Sequence, residues 1–565
     1  MKKLMKRLLS GLAMAGSLLS IQPVWAAEPA LPEEIDEYTV TCTNGIFIGT
    51  TEQETGVVTF KGLPFAEQPV GKLRWKAPEP ARDSKAVFKA QKYGPVSFQL
   101  PNPYNGMTEE KMGEDCLNLN IWTSDLKGQN KPVMVWIHGG IYAVDDASSA
   151  MYNGQFLADA YKDLVVVTVN YRLGAFGFID LSMLSGGDKY PDSQYLGYLD
   201  VKESLKWIKK NIGAFGGDPE NITVFGESVG GTLVDCLMSD KTAEGLFQHA
   251  ISQSGPHLLM FAQHHYDENK QTERIMQAAG AETLEELLAI PAEKFIGLYR
   301  IPVADEGRVG PVNCLAFLNG YPLRGGHSPI PADMPLAIEN GANKDVDYLL
   351  GTNANESRYL VSLMGKASFG ENILAFVEFQ DRSIEKFRKR ITAEENRKLD
   401  RYLQLPVFPE DRYSAQYKDI WRHNELINER IFRMPAVRLA EAHVKAGGKG
   451  RTYMYYFGKP VEGTDFFRAV HGGEVAYVFN NVNISAQPGY EYQGHIDGEL
   501  AAKISASWAN FARTGDPSTG TLKWKEYDLN DRETLVVGGD SSLQLVKDPK
   551  GQERELLMFS NDYDI

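Results

Sequence analysis

Apolar residues fall along this chain in two alternating rhythms, short unbroken runs and stretches that recur every three to four positions. Pro132 to Ile137 (PVMVWI) and Leu164 to Val169 (LVVVTV) are unbroken, rich in β-branched residues and flanked by polar residues or glycine, the pattern of strands buried on both faces. Between Leu196 and Ile212 the spacing becomes helical, with Leu199, Leu205, Ile208 and Ile212 on one stripe and Gly213 offering a stop. Ile222 to Phe225 returns to the strand pattern and a helix is predicted over Val229 to Met238. Further strands are predicted at His249 to Ser252, Val346 to Leu350 and Tyr453 to Phe457. Strand, helix, strand in succession implies parallel pairing with right-handed crossovers, hence an α/β class with a doubly wound, mostly parallel central sheet and helices on both faces. The segments from about 266 to 343 and from 359 to 449 carry charged helical pattern and little strand signal. They are expected to be helical insertions above the carboxyl edge of the sheet, where α/β proteins build substrate pockets.

The first residues depart from this pattern. A basic start (Lys2, Lys3, Lys6, Arg7), an apolar run from Leu8 to Ile21 and small residues around Ala26 are the parts of a secretory signal peptide. The run is shorter than the roughly 20 residues a bilayer span needs. Cleavage after Ala26 is therefore expected, leaving 27–565 as a single folded unit that is periplasmic or secreted, with no membrane span. No internal repeat or low-complexity linker divides it. Four positive charges leave with the leader and no acid does, which takes the net charge from −15 to −19. So acidic a protein is repelled by nucleic acid and by anionic lipid surfaces. The four cysteines, Cys42, Cys116, Cys236 and Cys314, lack the paired spacing of a zinc site, and neither a metal nor a cofactor is expected. Export permits disulfides, and spacing leaves their pairing open.

The chemistry centres on Gly226-Glu227-Ser228-Val229-Gly230, which directly follows a predicted strand and opens a predicted helix. Glycines there permit a tight strand-to-helix turn that lifts a serine hydroxyl clear of the sheet, and the helix aims its first amides at the same spot. An acyl-transfer site also needs backbone N–H groups directed at the oxyanion. His138-Gly139-Gly140-Ile141, ending the PVMVWI strand, supplies such a loop; the expected donors are Gly140, Ile141 and Val229. In this kind of site the acid and then the base follow the serine along the chain. Of ten histidines, His471 stands out in a glycine-flanked loop (AVHGG) beyond the Tyr453 to Phe457 strand, and Glu356 follows the strand ending at Leu350. On pattern alone, either could equally be a surface residue.

The chain resembles the type-B carboxylesterase family of α/β-hydrolases, which includes the cholinesterases and many bacterial esterases. The matching stretches run nearly end to end: FKGLPFAEQPVGKLRWKAPEP from Phe60, EDCLNLNIW from Glu114, NYRLGAFGF from Asn170, AFGGDPENITVFGESVGG from Ala214, HAISQSG from His249, GTNANES from Gly351, VHGGEVAYVF from Val470 and WANFARTGDP from Trp508. The resemblance implies an α/β-hydrolase fold, a Ser228-His471-Glu356 triad, an acyl-enzyme intermediate, a small-molecule ester as substrate, and supporting roles for Glu227 and Ser254. It also exposes departures. Ile141 stands where the family usually has Gly or Ala, and Val229 where it usually has Ala, so both are expected to crowd the site. Cys116 matches a family half-cystine whose partner position is Ser97, which leaves Cys42 as a substitute partner. The loop LPNPYNGMTEEKMGED has Tyr104 as its only aromatic residue, so nothing marks a choline anchor. Two other readings compete with ester hydrolysis: a binding protein on the same fold without catalysis, and hydrolysis of amides or thioesters.

Overall fold

The computed structural model describes residues 37–559 except 102–106, 256–267, 299–327, 332, 360–383, 386, 390, 407–417 and 464–465. The expected leader, Tyr104 and Cys314 lie outside the described residues. In chain order the strands are β1 (Thr39–Cys42), β2 (Gly45–Ile48), β3 (Thr50–Thr51), β4 (Val58–Pro64), β5 (Val87–Lys89), β6 (Asn118–Thr123), β7 (Lys131–Ile137), β8 (Val165–Val169), β9 (Gly217–Glu227), β10 (His249–Gln253), β11 (Asp347–Asn353), β12 (Thr452–Phe457), β13 (Glu533–Val537) and β14 (Leu543–Lys547). β1, β2 and β5 form a small separate sheet. The others join into one sheet in the order β14-β13-β12-β11-β10-β9-β7-β8-β6-β4-β3. From β8 through β13 every neighbouring pair is parallel, and the antiparallel pairs are confined to the two edges.

The period of two along each strand separates two cores. Val133, Val135 and Ile137 of β7 face one apolar cluster, shared with residues of helices Leu196–Asn211, Val229–Ser239 and Met434–Ala446. Met134 and Trp136 face the other, which holds residues of helix Gly498–Thr514. Five consecutive β7 side chains, Val133 to Ile137, are fully buried. At about 1.5–3 kcal/mol each relative to exposure, such strands anchor the sheet through its centre. A third cluster joins Trp75, Phe98 and Phe176 to Leu284, Leu287 and Phe295 of the first insertion. No described helix is long and apolar enough to cross a membrane.

Every central strand and helix expected from periodicity is present, with ends moved by a few residues; β9 is the largest extension, starting at Gly217. The amino-terminal strands and β13–β14 carry weaker patterns. In β6 the apolar run is broken by Asn118 and Asn120, yet both are buried. Asn120 accepts from Gly62 N–H (2.9 Å) and donates to Ala147 O (3.2 Å) and Thr168 Oγ1 (3.0 Å), so its polar atoms are satisfied by distant segments that the local pattern does not reveal. The Cys42 alternative is corrected: Cys42, Cys116 and Cys236 are buried and free. Ser97, at the expected partner position of Cys116, instead has its Oγ accepting from Leu173 N–H at 3.0 Å.

Candidate active site

Parallel strands deliver their carboxyl ends to one edge, and the predicted residues meet there. Ser228 follows β9 and caps helix Val229–Ser239 with φ 58° and ψ −126°, a conformation L-residues rarely adopt. It is held because Ser228 N–H donates to Gln253 O of β10 (2.9 Å) and Thr232 N–H to Ser228 O (2.9 Å). The glycines on either side are required by crowding: a side chain at Gly226 would come within 2.7 Å of Ile137 O, and one at Gly230 would run into the same carbonyl group. The end of β7 thus packs against the turn, and a Cβ on Gly139 would lie 3.0 Å from Ser228 Cβ.

That contact places the His138–Ile141 loop beside the serine. Gly140 has φ +93° and its carbonyl accepts from both Ala143 and Val144 N–H at 2.9 Å, which curls the loop back on itself. Tyr171 Oη donates to His138 O at 2.8 Å, and its ring stacks on the His138 imidazole at 4.4 Å. Burial keeps that imidazole neutral, lowering its pKa to about 4. Among the described residues the Gly140 and Ile141 amides find no protein acceptor. Val229, first in its helix, has no intrahelical acceptor for its N–H. The two branched side chains differ in placement. Val229 is fully buried in the main core, whereas Ile141 is partly exposed and packs against the cluster of Trp75 and Phe176. The expectation that both crowd the site is corrected for Val229, whose side chain is enclosed in the core; of the two only Ile141 is partly exposed.

Glu356, in the turn after β11, is buried with both oxygens engaged. Oε1 accepts from Ser254 Oγ (2.6 Å) and Asn353 N–H (2.6 Å), and Oε2 faces His471 Nδ1 at 2.7 Å. The other imidazole nitrogen, Nε2, lies 3.2 Å from Glu227 Oε1, on the residue beside the serine. Phe432 and Tyr359 flank the ring, with centroids 5.2 and 5.9 Å away.

A further carboxylate belongs to this cluster and sequence reasoning did not single it out. Glu474 is buried, with Oε1 accepting from Gln253 Nε2 (3.0 Å) and Oε2 from Asn353 Nδ2 (2.6 Å). Asn353 Nδ2 also donates to Val470 O (2.8 Å) and Trp508 Nε1 to Gln253 Oε1 (3.1 Å), which ties the His471 loop, the Glu356 turn and β10 together. All five residues lie in the stretches that carry the family resemblance, and only that membership could have found them.

Electrostatics follow from burying three carboxylates around one imidazole. Desolvation, reinforced by neighbouring Glu474 and Glu356 against the opposing pull of His471, raises Glu227 from 4.5 to about 8. Burial and the Glu356 charge raise Glu474. Burial alone would lower His471, but Glu227 and Glu356 outweigh it and raise the imidazole from 6.5 to about 9. The folded state thus holds both protons more tightly than the unfolded chain. The stability contributed by His471 is complete below pH 6.5 and lost as pH rises through about 9, and that of Glu227 falls from about 4.5 through about 8. His471 is the base expected from the sequence and as such must be neutral to act, so Glu227→Gln, which removes one carboxylate facing the ring, is expected to move the acid limb of the kcat/KM profile to lower pH by about one unit. A limb that stays in place or moves up would contradict the assignment of that charge to His471.

The Carboxylesterase family model matches residues 36–554. Para-nitrobenzyl esterase of Bacillus subtilis is 32% identical over 526 residues, covering 92% of this chain and 98% of that protein. Liver carboxylesterase of Sus scrofa is 31% identical, covering 96% and 95%. Among solved structures, a PNB esterase superposes with a TM-score of 0.73 at 31% identity, covering 93% of this chain and all of that one. A Geobacillus stearothermophilus carboxylesterase superposes with a TM-score of 0.73 at 30% identity, covering 92% and 99%. With this sheet, this edge and similarity along nearly its whole length, the chain belongs to the carboxylesterase family, carboxylic-ester hydrolases on the α/β-hydrolase fold.

Proposed function

We propose that the protein hydrolyses small-molecule carboxylic esters through an acyl-enzyme on Ser228, with His471 as base and acid and Glu356 as its partner. The observation that carries this is the 2.7 Å contact between His471 Nδ1 and Glu356 Oε2 at the strand edge that bears the strained Ser228 turn. With Nδ1–H donating to Glu356, Nε2 is the basic nitrogen. Turning from Glu227 to Ser228, it takes the hydroxyl proton as Oγ bonds to the ester carbonyl carbon. The developing oxyanion is met by the N–H groups of Gly140, Ile141 and Val229. Collapse breaks the bond to the alkoxy oxygen, which leaves with the proton held by His471. Water then attacks the acyl carbon, giving its proton to His471, and the acyl–Oγ bond breaks as Ser228 is reprotonated. Ser254 supports the triad by donating to Glu356, and Glu227 by stabilising the imidazolium.

A fluorophosphonate probe tests this directly. One equivalent should attach to Ser228 by peptide mass spectrometry and abolish turnover of a short-chain p-nitrophenyl ester; modification elsewhere with loss of activity would refute the assignment. Matched ester, thioester and anilide substrates identify the bond cleaved. A non-catalytic binding role would appear as no turnover of any of the three. Export is part of the proposal, and a mature protein beginning at Ala27 in the periplasm or medium is its test.

Ile141 limits the site. Its φ of 49° costs a β-branched residue about 1–3 kcal/mol, so glycine relieves strain while opening space. Ile141→Gly is expected to raise kcat/KM for tertiary-alcohol esters relative to primary ones by about tenfold, the effect of roughly 1.4 kcal/mol of steric relief. An unchanged ratio would show that Ile141 does not limit the alcohol.

A further inference from the structure

The Glu356 turn is gripped from behind by a helix whose regular winding fails at that point. Helix Lys418–Ile427 passes into a wide, π-type turn over Asn428–Arg433 and resumes as Met434–Ala446. Pro435 explains the irregularity. It has no N–H to donate to Ile431 O, and its ring would clash with that carbonyl in an α-helix, so the preceding turn widens. Buried charges hold the widened turn. Glu429 accepts from Arg433 Nε at 2.6 Å and Lys550 Nζ at 3.0 Å, while Arg433 donates to Pro549 O (3.1 Å) and Lys550 O (3.2 Å).

Three residues of this helix, each four apart, meet the turn that carries Glu356 or the His471 ring. Asn424 Oδ1 accepts from Ser357 Oγ at 2.7 Å. Asn428 bridges the turn, its Oδ1 accepting from Ser357 N–H (2.7 Å) and its Nδ2 donating to Ala354 O (3.2 Å), one residue after and two residues before Glu356. Phe432 lies against the His471 ring at 5.2 Å. In a regular α-helix, steps of four residues overshoot a turn by about 40° each, so the third residue would drift away from the first. The wide turn needs more residues to close, and the second step then falls short of a full turn and cancels the drift.

From this geometry we propose that Asn428 and Phe432 are positioning residues: Asn428 sets the Glu356 carboxylate, Phe432 sets the imidazole plane, and the Pro435-induced wide turn brings both to the same face. The inference rests on the triad reading above and adds the element that aligns it. Misplacing a reacting group by about 1 Å costs on the order of 10²-fold in rate.

Asn428→Ala and Phe432→Leu are compared with wild type on a short-chain ester, with rates divided by the concentration of sites titrated by the fluorophosphonate, so that misfolded protein does not count. Asn428→Ala is expected to lower kcat by about 10- to 100-fold with KM within about twofold. Glu227, Glu356 and Glu474 all face His471, and loosening Glu356 should move the acid limb of kcat/KM to lower pH. Phe432→Leu should lower kcat without that shift, because the carboxylate stays in place. If kcat per titrated site stays within twofold of wild type and the pH profile is unmoved in both variants, positioning by this helix is refuted. Ser228→Ala as a control separates this from failure of the triad reading, since that variant must lose at least about 10⁴-fold in kcat in either case for the triad to stand.

Discussion

Ser228→Ala is expected to lower kcat for a short-chain ester by on the order of 10⁴- to 10⁶-fold while leaving the thermal transition nearly unchanged. The backbone contacts that hold the strained turn, Ser228 N–H to Gln253 O and Thr232 N–H to Ser228 O, involve no side-chain atom. Alanine keeps the same Cβ beside Gly139, so the substitution removes one hydroxyl and nothing else that the fold uses. Substrate binding and the amides of Gly140, Ile141 and Val229 survive it, which sets a residual rate above that of water. KM should therefore change little. Turnover within tenfold of wild type, measured on protein free of contaminating esterase, would mean that another group is the nucleophile.

Glu356→Gln is expected to cost about 10⁴-fold in kcat with the fold intact. The reason lies in which atoms surround the carboxylate. Oε1 receives two donors, Ser254 Oγ–H at 2.6 Å and Asn353 N–H at 2.6 Å, so a glutamine must present its carbonyl oxygen there. Its NH₂ group is then forced toward His471 Nδ1, the position now occupied by Oε2 at 2.7 Å. Nδ1 becomes an acceptor, the ring proton moves to Nε2, and Nε2 can no longer take a proton from Ser228. Pairing with Ser254→Ala tests the mechanism, because removing one of the two donors lets the amide turn over and should recover part of the lost rate. A Glu356→Gln enzyme within tenfold of wild type would show that tautomer control does not limit the reaction.

Much of this molecule was legible in its residue order because the central strands are buried on both faces. Runs such as PVMVWI and LVVVTV have to be continuous when helices cover each side, and the glycines around Ser228 are dictated by a turn that admits no Cβ at Gly226 or Gly230. The Ser228 turn and the adjoining loop could be read locally since each is contiguous in the chain, and the family resemblance extended the reading to Glu356 and His471.

Tertiary structure decided what depends on residues far apart. Asn118 and Asn120 break the β6 pattern and still lie in the sheet, since their partners come from other segments. Glu474 joins the site only because Gln253 and Asn353 converge on it from the ends of β10 and β11, and with Glu227 and Glu356, which contribute most, it raises His471 to about 9. The helix at Asn428 meets Glu356 across 72 positions of chain through the carbonyl and amide on either side of it. Residue order determines which segments can become strands and tight turns, because those choices rest on local sterics and periodicity. Which buried polar atoms end up facing one another is set by packing, and the charge state and alignment of the candidate catalytic groups are properties of that packing.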